Sequence, residues 1–287
     1  MLWEWAVEVA DAGRRVMRAG LWAESLRRHG QPLAARAAIV LLVLLLGGCG
    51  GVRFLSGDDT RIPGQLFKPD RPGPLPAVVL LHDCAGLRSF HVSWAKTIQS
   101  AGYVAFLVDS FGPRGITNIC ADGSTMAQMA TERVHDAYGA LRYLKTLPFV
   151  DAQRVAVMGW SHGAWTVLEA LSSYPYRTSA EQFRAGIALY PYCAPFGPSR
   201  FRAPLLILSG SMDDWTPAKT CVNLERWRHN EAPPLTVHVY DGAYHSFDDP
   251  TWGGATRSYL GHTLAYDAKA TKDAEIQVVS FLRHYLQ

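Results

Sequence analysis

Short apolar runs alternate with longer amphipathic stretches along most of the chain. The continuous apolar runs are typical of strands buried on both faces of a sheet, and they predict strands at 75–82, 103–108, 155–158, 185–190, 203–209 and 235–240. A further strand, at 63–67, is predicted at an edge. Amphipathic patterns predict helices at 93–101, 126–147, 164–171 and 274–286. This alternation predicts the α/β fold class, with a mostly parallel sheet and helices on both faces.

One predicted strand enters a helix through a turn that carries a serine. Residues 155–163 read VAVMGWSHG, which places Gly159, Ser161 and Gly163 in a G-x-S-x-G pattern. The glycines let the strand and the helix approach closely, while the serine takes a strained conformation that exposes its hydroxyl. The context favours a nucleophile. The alternative is an ordinary turn with a helix-capping serine.

A nucleophilic serine needs a base and a carboxylate, and both residue types follow the later strands. His245 lies in a glycine-containing loop after the last predicted strand, and Asp213 and Asp214 follow the strand before it. Successive side chains diverge, so we expect only Asp213 to face His245 and Asp214 to brace the loop or face solvent. Because the carboxyl ends of parallel strands share one edge, Ser161, Asp213 and His245 are predicted to converge.

Attack on a carbonyl creates an oxyanion, which needs fixed hydrogen-bond donors. In a site of this kind the donors are the amide after the nucleophile and an amide from the loop after an early strand. At these two positions the sequence has His162 and Cys84, so their backbone NH groups are the predicted oxyanion donors. His82, at the end of that early strand, is expected to be structural or to face the substrate.

Several further side chains lie next to the predicted site loops. Trp160, Phe111, Tyr192 and Trp215 are candidates for an apolar pocket, with ordinary core packing as the alternative. Arg114 can meet a substrate carboxylate or form a structural salt bridge, and the sequence leaves both open.

The domain at 61–287 resembles the dienelactone hydrolase family of α/β-hydrolases. The resemblance is carried by residues 82–86 (HDCAG), 159–163 (GWSHG), 210–217 (GSMDDWTP) and 245–247 (HSF). It implies the α/β-hydrolase fold, the chain order Ser161, Asp213, His245 and a catalytic aspartate three residues after Gly210. Two departures stand out: the family proper uses a cysteine nucleophile, and Asp83 stands where it carries a glutamate. The resemblance therefore supports the fold and the triad more than a dienelactone substrate.

These residues predict a serine hydrolase that cleaves a small-molecule ester or related acyl bond through an acyl-enzyme, without a cofactor or metal. Two alternatives stay open, a peptidase on the same fold and a non-catalytic surface binding protein. The net charge of +3, from 28 basic and 25 acidic residues, is too even to indicate a nucleic-acid partner.

The first 48 residues have the pattern of a secretory signal. The apolar run at 37–46 is too short to span a bilayer, follows basic residues and ends at LGGC, residues 46–49. This ending resembles a bacterial lipoprotein signal, so Cys49 is predicted to carry lipid and to anchor the protein in the cell envelope, on the periplasmic side. An uncleaved anchor is the alternative, and translation from Met17 rather than Met1 is compatible with the pattern. Residues 49–60 are polar and glycine-rich and are predicted to form a tether.

Four cysteines remain after Cys49, an even number in a compartment that permits disulfides. Sequence alone allows three connectivities, and free thiols are the alternative. The order of the predicted strands favours Cys84 with Cys120 and Cys193 with Cys221, because each pair joins loops after neighbouring strands.

Overall fold

A computed structural model describes residues 51–172, 181–197 and 201–287. The predicted signal segment 1–48 and the predicted lipid-bearing Cys49 lie outside these residues. Residues Gly51–Gln287 form one unit built on an eight-stranded sheet.

The sheet has the order β1-β2-β4-β3-β5-β6-β7-β8. Its strands are β1 (Val52–Leu55), β2 (Arg61–Phe67), β3 (Leu75–Leu81), β4 (Val104–Val108), β5 (Val150–Trp160), β6 (Gly186–Leu189), β7 (Leu205–Gly210) and β8 (Leu235–Tyr240). The pairings of β1 with β2 and of β2 with β4 are antiparallel, and the others are parallel. A small antiparallel hairpin, β9 (Arg257–Tyr259) with β10 (His262–Leu264), lies outside the sheet.

Helices cover both faces of the sheet, as predicted. They are α1 (Ser89–Ser100), α2 (Gly123–Thr146), α3 (His162–Leu171), α4 (Ala218–Arg226) and α5 (Ala268–Leu286). The apolar side chains of α2, α3 and α4 pack on one face, and those of α1 and α5 pack on the other. Alternate residues of β3 point into opposite clusters, since Val79 and Leu81 join the first and Val78 and Leu80 the second. Burial on both faces explains why the central strands are continuously apolar.

The tether predicted at 49–60 is wrong for Val52–Leu55, which form β1. Phe54 within it is buried, with its ring centroid 5.5 Å from that of Phe106 and 6.3 Å from that of Tyr143. The apolar area that Phe54 removes from water favours an ordered strand over a solvated tether. The prediction that residues 63–67 form an edge strand is also wrong. They lie in β2, which pairs with β1 on one side and β4 on the other, so β1 forms the edge of the sheet.

The sheet and α3 meet at a turn that only small residues permit. A side chain at Gly163 would collide with the carbonyl oxygens of Leu81 and His82, and one at Gly159 would collide with the backbone of Gly163. Ser161, between the two glycines, has φ 49° and ψ −112°, a conformation that L-residues rarely adopt. The turn thus brings the start of α3 against the end of β3 and holds Ser161 at its tip.

A buried carboxylate links α1 to two strand ends. The Asp248 oxygens accept hydrogen bonds from Trp94 Nε1 at 2.7 Å, Trp160 Nε1 at 2.9 Å and the Tyr190 hydroxyl at 2.6 Å. Burial raises the pKa of Asp248 to about 6, although these three donors act to lower it. The group therefore holds a proton in the folded state at pH values where an exposed carboxyl has lost it.

We expect Gly163→Ala to destabilise the fold by about 1–3 kcal/mol, since the added methyl group forces backbone atoms apart. Gly254→Ala is the matched control, because a side chain there meets nothing within 4 Å, and we expect a change within about 0.5 kcal/mol. Urea unfolding measures both. Equal stabilities for the two variants would contradict the close approach at the turn.

Asp248 predicts a pH dependence of stability with a defined sign. Between the ordinary value of 3.8 and about 6, the folded state binds the proton more tightly than the unfolded state, so its contribution to stability is lost as pH rises. The unfolding free energy of the wild type minus that of Asp248→Asn should be larger at pH 4 than at pH 7.5, by on the order of 2 kcal/mol. A difference between the two unfolding free energies that widens as pH rises would contradict the assignment.

Candidate active site

The structure brings together the three side chains that the sequence singles out. Ser161 follows β5, Asp213 follows β7, and His245 follows β8, all at the carboxyl edge of the sheet. The distance from Ser161 Oγ to His245 Nε2 is 2.9 Å, and that from His245 Nδ1 to Asp213 Oδ2 is 2.8 Å. His245 and Asp213 are buried. The geometry is that of a hydroxyl aligned with a base and a base aligned with a carboxylate.

Asp213 is held by more than the imidazole. Its Oδ1 accepts the amides of Trp215 at 2.9 Å and Thr216 at 2.8 Å, and the Thr216 hydroxyl donates to Oδ2 at 2.9 Å. Burial alone raises the pKa of Asp213, but the His245 ring and the Thr216 hydrogen bonds together bring it below its ordinary value. Asp213 is therefore a carboxylate at neutral pH. Thr216 was not singled out, because a threonine in a polar loop carries no sequence signal of its own.

Asp214, the neighbouring aspartate, faces away from His245. Its carboxylate accepts the Thr263 amide and lies 3.3 Å from His262 Nδ1. The prediction that Asp214 braces the loop is therefore confirmed by its hydrogen bond to β10.

The two residues predicted to supply oxyanion donors, His162 and Cys84, both lie at the cavity that contains Ser161. His162 is the first residue of α3, where an amide has no partner within the helix, and Cys84 lies in the loop after β3. Both residues line the cavity that also exposes Ser161. Their assignment as donors stays a prediction.

A buried arginine fixes the ring of His162. Arg133, fully buried on α2, donates to His162 Nδ1 at 2.6 Å and to the His82 carbonyl at 2.7 Å. Because arginine only donates, His162 Nδ1 accepts, and Nε2 carries the proton that it shares with the Met126 carbonyl. Burial and the Arg133 charge lower the pKa of His162 to about 3, so its ring is neutral. Arg133 lies in a helical pattern without a motif, which explains why sequence reasoning missed it.

His82 is structural. It is fully buried, its Nδ1 lies 2.7 Å from the Asp83 carbonyl, and burial lowers its pKa well below the ordinary value.

Both disulfides have the predicted connectivity. Cys84 bonds to Cys120, and Cys193 bonds to Cys221. The first joins the loop after β3, which carries the candidate donor, to the segment that precedes α2. The second joins the chain after β6 to α4. The Cys84–Cys120 bond therefore restrains one wall of the candidate site.

An ion-pair cluster lies beside Ser161. Arg88 pairs with Asp83 through one guanidinium nitrogen and with Asp249 through the other. Asp83 also accepts the Ala85 amide at 2.8 Å. Asp83 and Asp249 are buried, and the single guanidinium of Arg88 pairs with both carboxylates. Arg88 and Asp249 were missed because their pairing spans distant segments.

The four aromatic residues considered as pocket candidates fall into two groups. Tyr192 and Trp215 line the cavities at Ser161, whereas Trp160 and Phe111 are buried core residues. For Trp160 and Phe111 the alternative of core packing is confirmed, because Trp160 Nε1 donates to Asp248 and the Phe111 ring centroid lies 4.5 Å from that of His82. Arg114 forms a structural ion pair with Asp136 at 2.9 Å.

Neither a metal cluster nor a spanning helix occurs in the parts of the chain that the structure describes. Within those parts, no three His, Cys, Asp or Glu side chains are grouped to hold a metal ion. Over the same residues, no helix is long and apolar enough to cross a bilayer.

Comparison with proteins of known sequence gives related hydrolases. A protein named probable 2-oxo-3-(5-oxofuran-2-ylidene)propanoate lactonase, from Bradyrhizobium sp., is 24% identical over 195 residues, which are 64% of this chain and 78% of that one. A protein named probable dipeptidyl-aminopeptidase B, from Grosmannia clavigera, is 29% identical over 59% of this chain, but the chain spans only 17% of its length.

Among solved structures, a dienelactone hydrolase-like promiscuous phosphotriesterase from metagenomic libraries aligns with a TM-score of 0.66 and 23% identity, over 83% of this chain and 99% of that one. This likeness confirms the fold. The model of the dienelactone hydrolase family matches residues 62–286, nearly the whole described unit. The chain therefore belongs to the dienelactone hydrolase family.

Proposed function

We propose that this protein is a serine hydrolase that cleaves carboxylic esters through an acyl-enzyme. The observation that carries the proposal is the continuous line of hydrogen bonds from Ser161 through His245 to Asp213, at 2.9 and 2.8 Å. Family membership supports hydrolysis of an ester bond, and the lactone named in the Bradyrhizobium relative is a cyclic ester.

In the first step, Ser161 Oγ bonds to the acyl carbon while its proton moves to His245 Nε2. The resulting oxyanion accepts hydrogen bonds from the His162 and Cys84 amides. The bond from the acyl carbon to the alcohol oxygen then breaks, and His245 gives its proton to that oxygen. Asp213 stays ionised throughout and stabilises the imidazolium.

Water completes the reaction. His245 takes a proton from a water molecule whose oxygen attacks the acyl carbon, and the bond to Ser161 Oγ breaks as Oγ recovers a proton. The products are a carboxylic acid and an alcohol, so atoms balance without a cofactor.

The nucleophile is tested with p-nitrophenyl acetate, an activated ester that reveals slow turnover. We expect the purified protein to hydrolyse it and Ser161→Ala to lower kcat by a factor on the order of 10⁴. Asp213→Asn should lower kcat by a similar order, since the imidazole loses its orienting charge.

Asp214→Asn is the matched control, because the adjacent carboxylate contacts Thr263 rather than His245. It should retain activity. Full activity in Ser161→Ala, or equal losses in the two aspartate variants, would contradict the proposal.

A peptidase is the second candidate, favoured by the similarity to the dipeptidyl-aminopeptidase. A panel of aminoacyl and dipeptidyl amides, assayed beside esters, separates the two functions. Turnover of the amides with kcat/KM above that of the esters would favour the peptidase. Absence of turnover on both would favour the non-catalytic binding protein.

We further propose that the mature protein is lipid-anchored through Cys49 on the periplasmic side of the cell envelope. The basic, apolar and LGGC segments up to residue 49 support this location. The two disulfides also support it, since such bonds persist in oxidising compartments.

Replacement of Cys49 tests the anchor. In a bacterial host, the wild type should incorporate labelled palmitate and sediment with membranes, whereas Cys49→Ser should do neither, because the serine hydroxyl does not accept the thioether-linked lipid. Membrane sedimentation of the variant equal to that of the wild type would contradict the anchor.

A further inference from the structure

Two cavities of unequal size open on either side of Ser161. The smaller has a volume of about 150 Å³ and the larger about 600 Å³. Ser161, Cys84 and Trp215 line both cavities, so they form the partition between them. An ester attacked by Ser161 must place its acyl group on one side of this partition and its alcohol on the other.

Ordered side chains line the small cavity. Tyr259 of the β9–β10 hairpin packs on Trp215 at 5.9 Å and on Trp252 at 5.6 Å, and its hydroxyl accepts from Asn118 Nδ2 at 3.1 Å. Leu264, in the same hairpin, is buried and also lines this cavity. The volume of the small cavity falls below the roughly 300–1,000 Å³ of sites that enclose drug-sized ligands.

The large cavity is apolar. Met126 and Ala127 from α2 face Trp165 from α3 and Tyr192 after β6, with the two rings 4.9 Å apart. Pro195 completes this wall. The volume of the large cavity lies within the range of sites that hold an aromatic or long aliphatic group.

Among the residues that the structure describes, neither cavity is lined by a cation free to pair with a substrate carboxylate. Arg88 in the small cavity is already paired with two carboxylates, Asp83 and Asp249. Among the described residues that line the large cavity, none is Lys, Arg, Asp or Glu. Burying an unpaired charge in either cavity would be costly, so both ends of the preferred ester are uncharged.

The position of His245 decides which group enters which cavity. The leaving alcohol oxygen must come within hydrogen-bond reach of the imidazole that protonates it. His245 lines the small cavity and is not among the described residues that line the large one. The alcohol therefore belongs in the small cavity and the acyl group in the large one.

Resting on the serine esterase function above, we propose that the substrate is an uncharged ester with a bulky apolar acyl group and a small alcohol. Ser161 Oγ bonds to the acyl carbon, the bond to the small alkoxide breaks, and the proton from Ser161 leaves with the alcohol through His245. The bulky acyl group stays in the 600 Å³ cavity until water releases it as the acid.

Two esters of the same formula test the assignment. Methyl 3-phenylpropanoate carries the phenyl group on the acyl side, and 2-phenylethyl acetate carries it on the alcohol side. We expect kcat/KM to favour the methyl ester by at least about tenfold. A methyl ester whose acyl chain ends in a carboxylate should be a poorer substrate than methyl 3-phenylpropanoate.

Two variants connect the preference to the cavities. Ala127→Trp fills the large cavity and should lower kcat/KM for the methyl ester, whereas Tyr259→Ala enlarges the small cavity and should raise kcat/KM for 2-phenylethyl acetate. Both variants should reduce the preference for methyl 3-phenylpropanoate over 2-phenylethyl acetate. Gln128→Trp, at the next exposed position of α2, is the matched control and should leave the preference unchanged.

The outcomes separate this inference from the proposed function. Turnover of p-nitrophenyl acetate that depends on Ser161, together with equal rates on the two isomers or a preference for 2-phenylethyl acetate, overturns the cavity assignment and leaves the esterase. No turnover of any ester overturns the esterase and the assignment with it.

Discussion

The site depends on one close approach between backbone segments. Gly163, at the start of α3, lies against the carbonyl oxygens at the end of β3, and Gly159 lies against Gly163. Ser161, at the tip of this turn, is held at a positive φ, which directs its hydroxyl toward His245 Nε2. Strain of this kind costs on the order of 1–3 kcal/mol and persists only where surrounding packing over-determines it. Here the packing is that of residues 155–160, the second half of β5, which are all buried.

A second constraint is the charge buried beneath that turn. Arg133 donates to His162 and to the carbonyl of His82, so one cation joins the start of α3 to the end of β3, just before the Cys84 loop. On the other side, Arg88 joins that loop to Asp249, near His245. Buried charges are expensive, and their retention around one hydroxyl favours a role in fixing the site's geometry over one in stability.

Much of the fold and the central site could be predicted, because both depend on local patterns. Apolar runs located the central strands, and the loops after β5, β7 and β8 located Ser161, Asp213 and His245. The errors have physical causes. Val52–Leu55 are predicted as part of a tether, because a strand of four residues with one buried phenylalanine is too short to show a clear apolar pattern. The sequence leaves Trp160 open between pocket and core, because adjacency in sequence does not say on which side of a strand a ring points. The pairing of Arg88 with Asp249 spans segments that only the fold brings together.

We propose that packing at the turn aligns the hydroxyl of Ser161 for attack. The most direct measurement is mass spectrometry after treatment with an aryl fluorophosphonate, which phosphonylates a serine only when its hydroxyl is activated by a base. We expect a single phosphonyl group per chain, on the peptide that contains Ser161, and none in Ser161→Ala. No adduct on the folded wild type, or an adduct that persists on another residue when Ser161 is replaced, would contradict it.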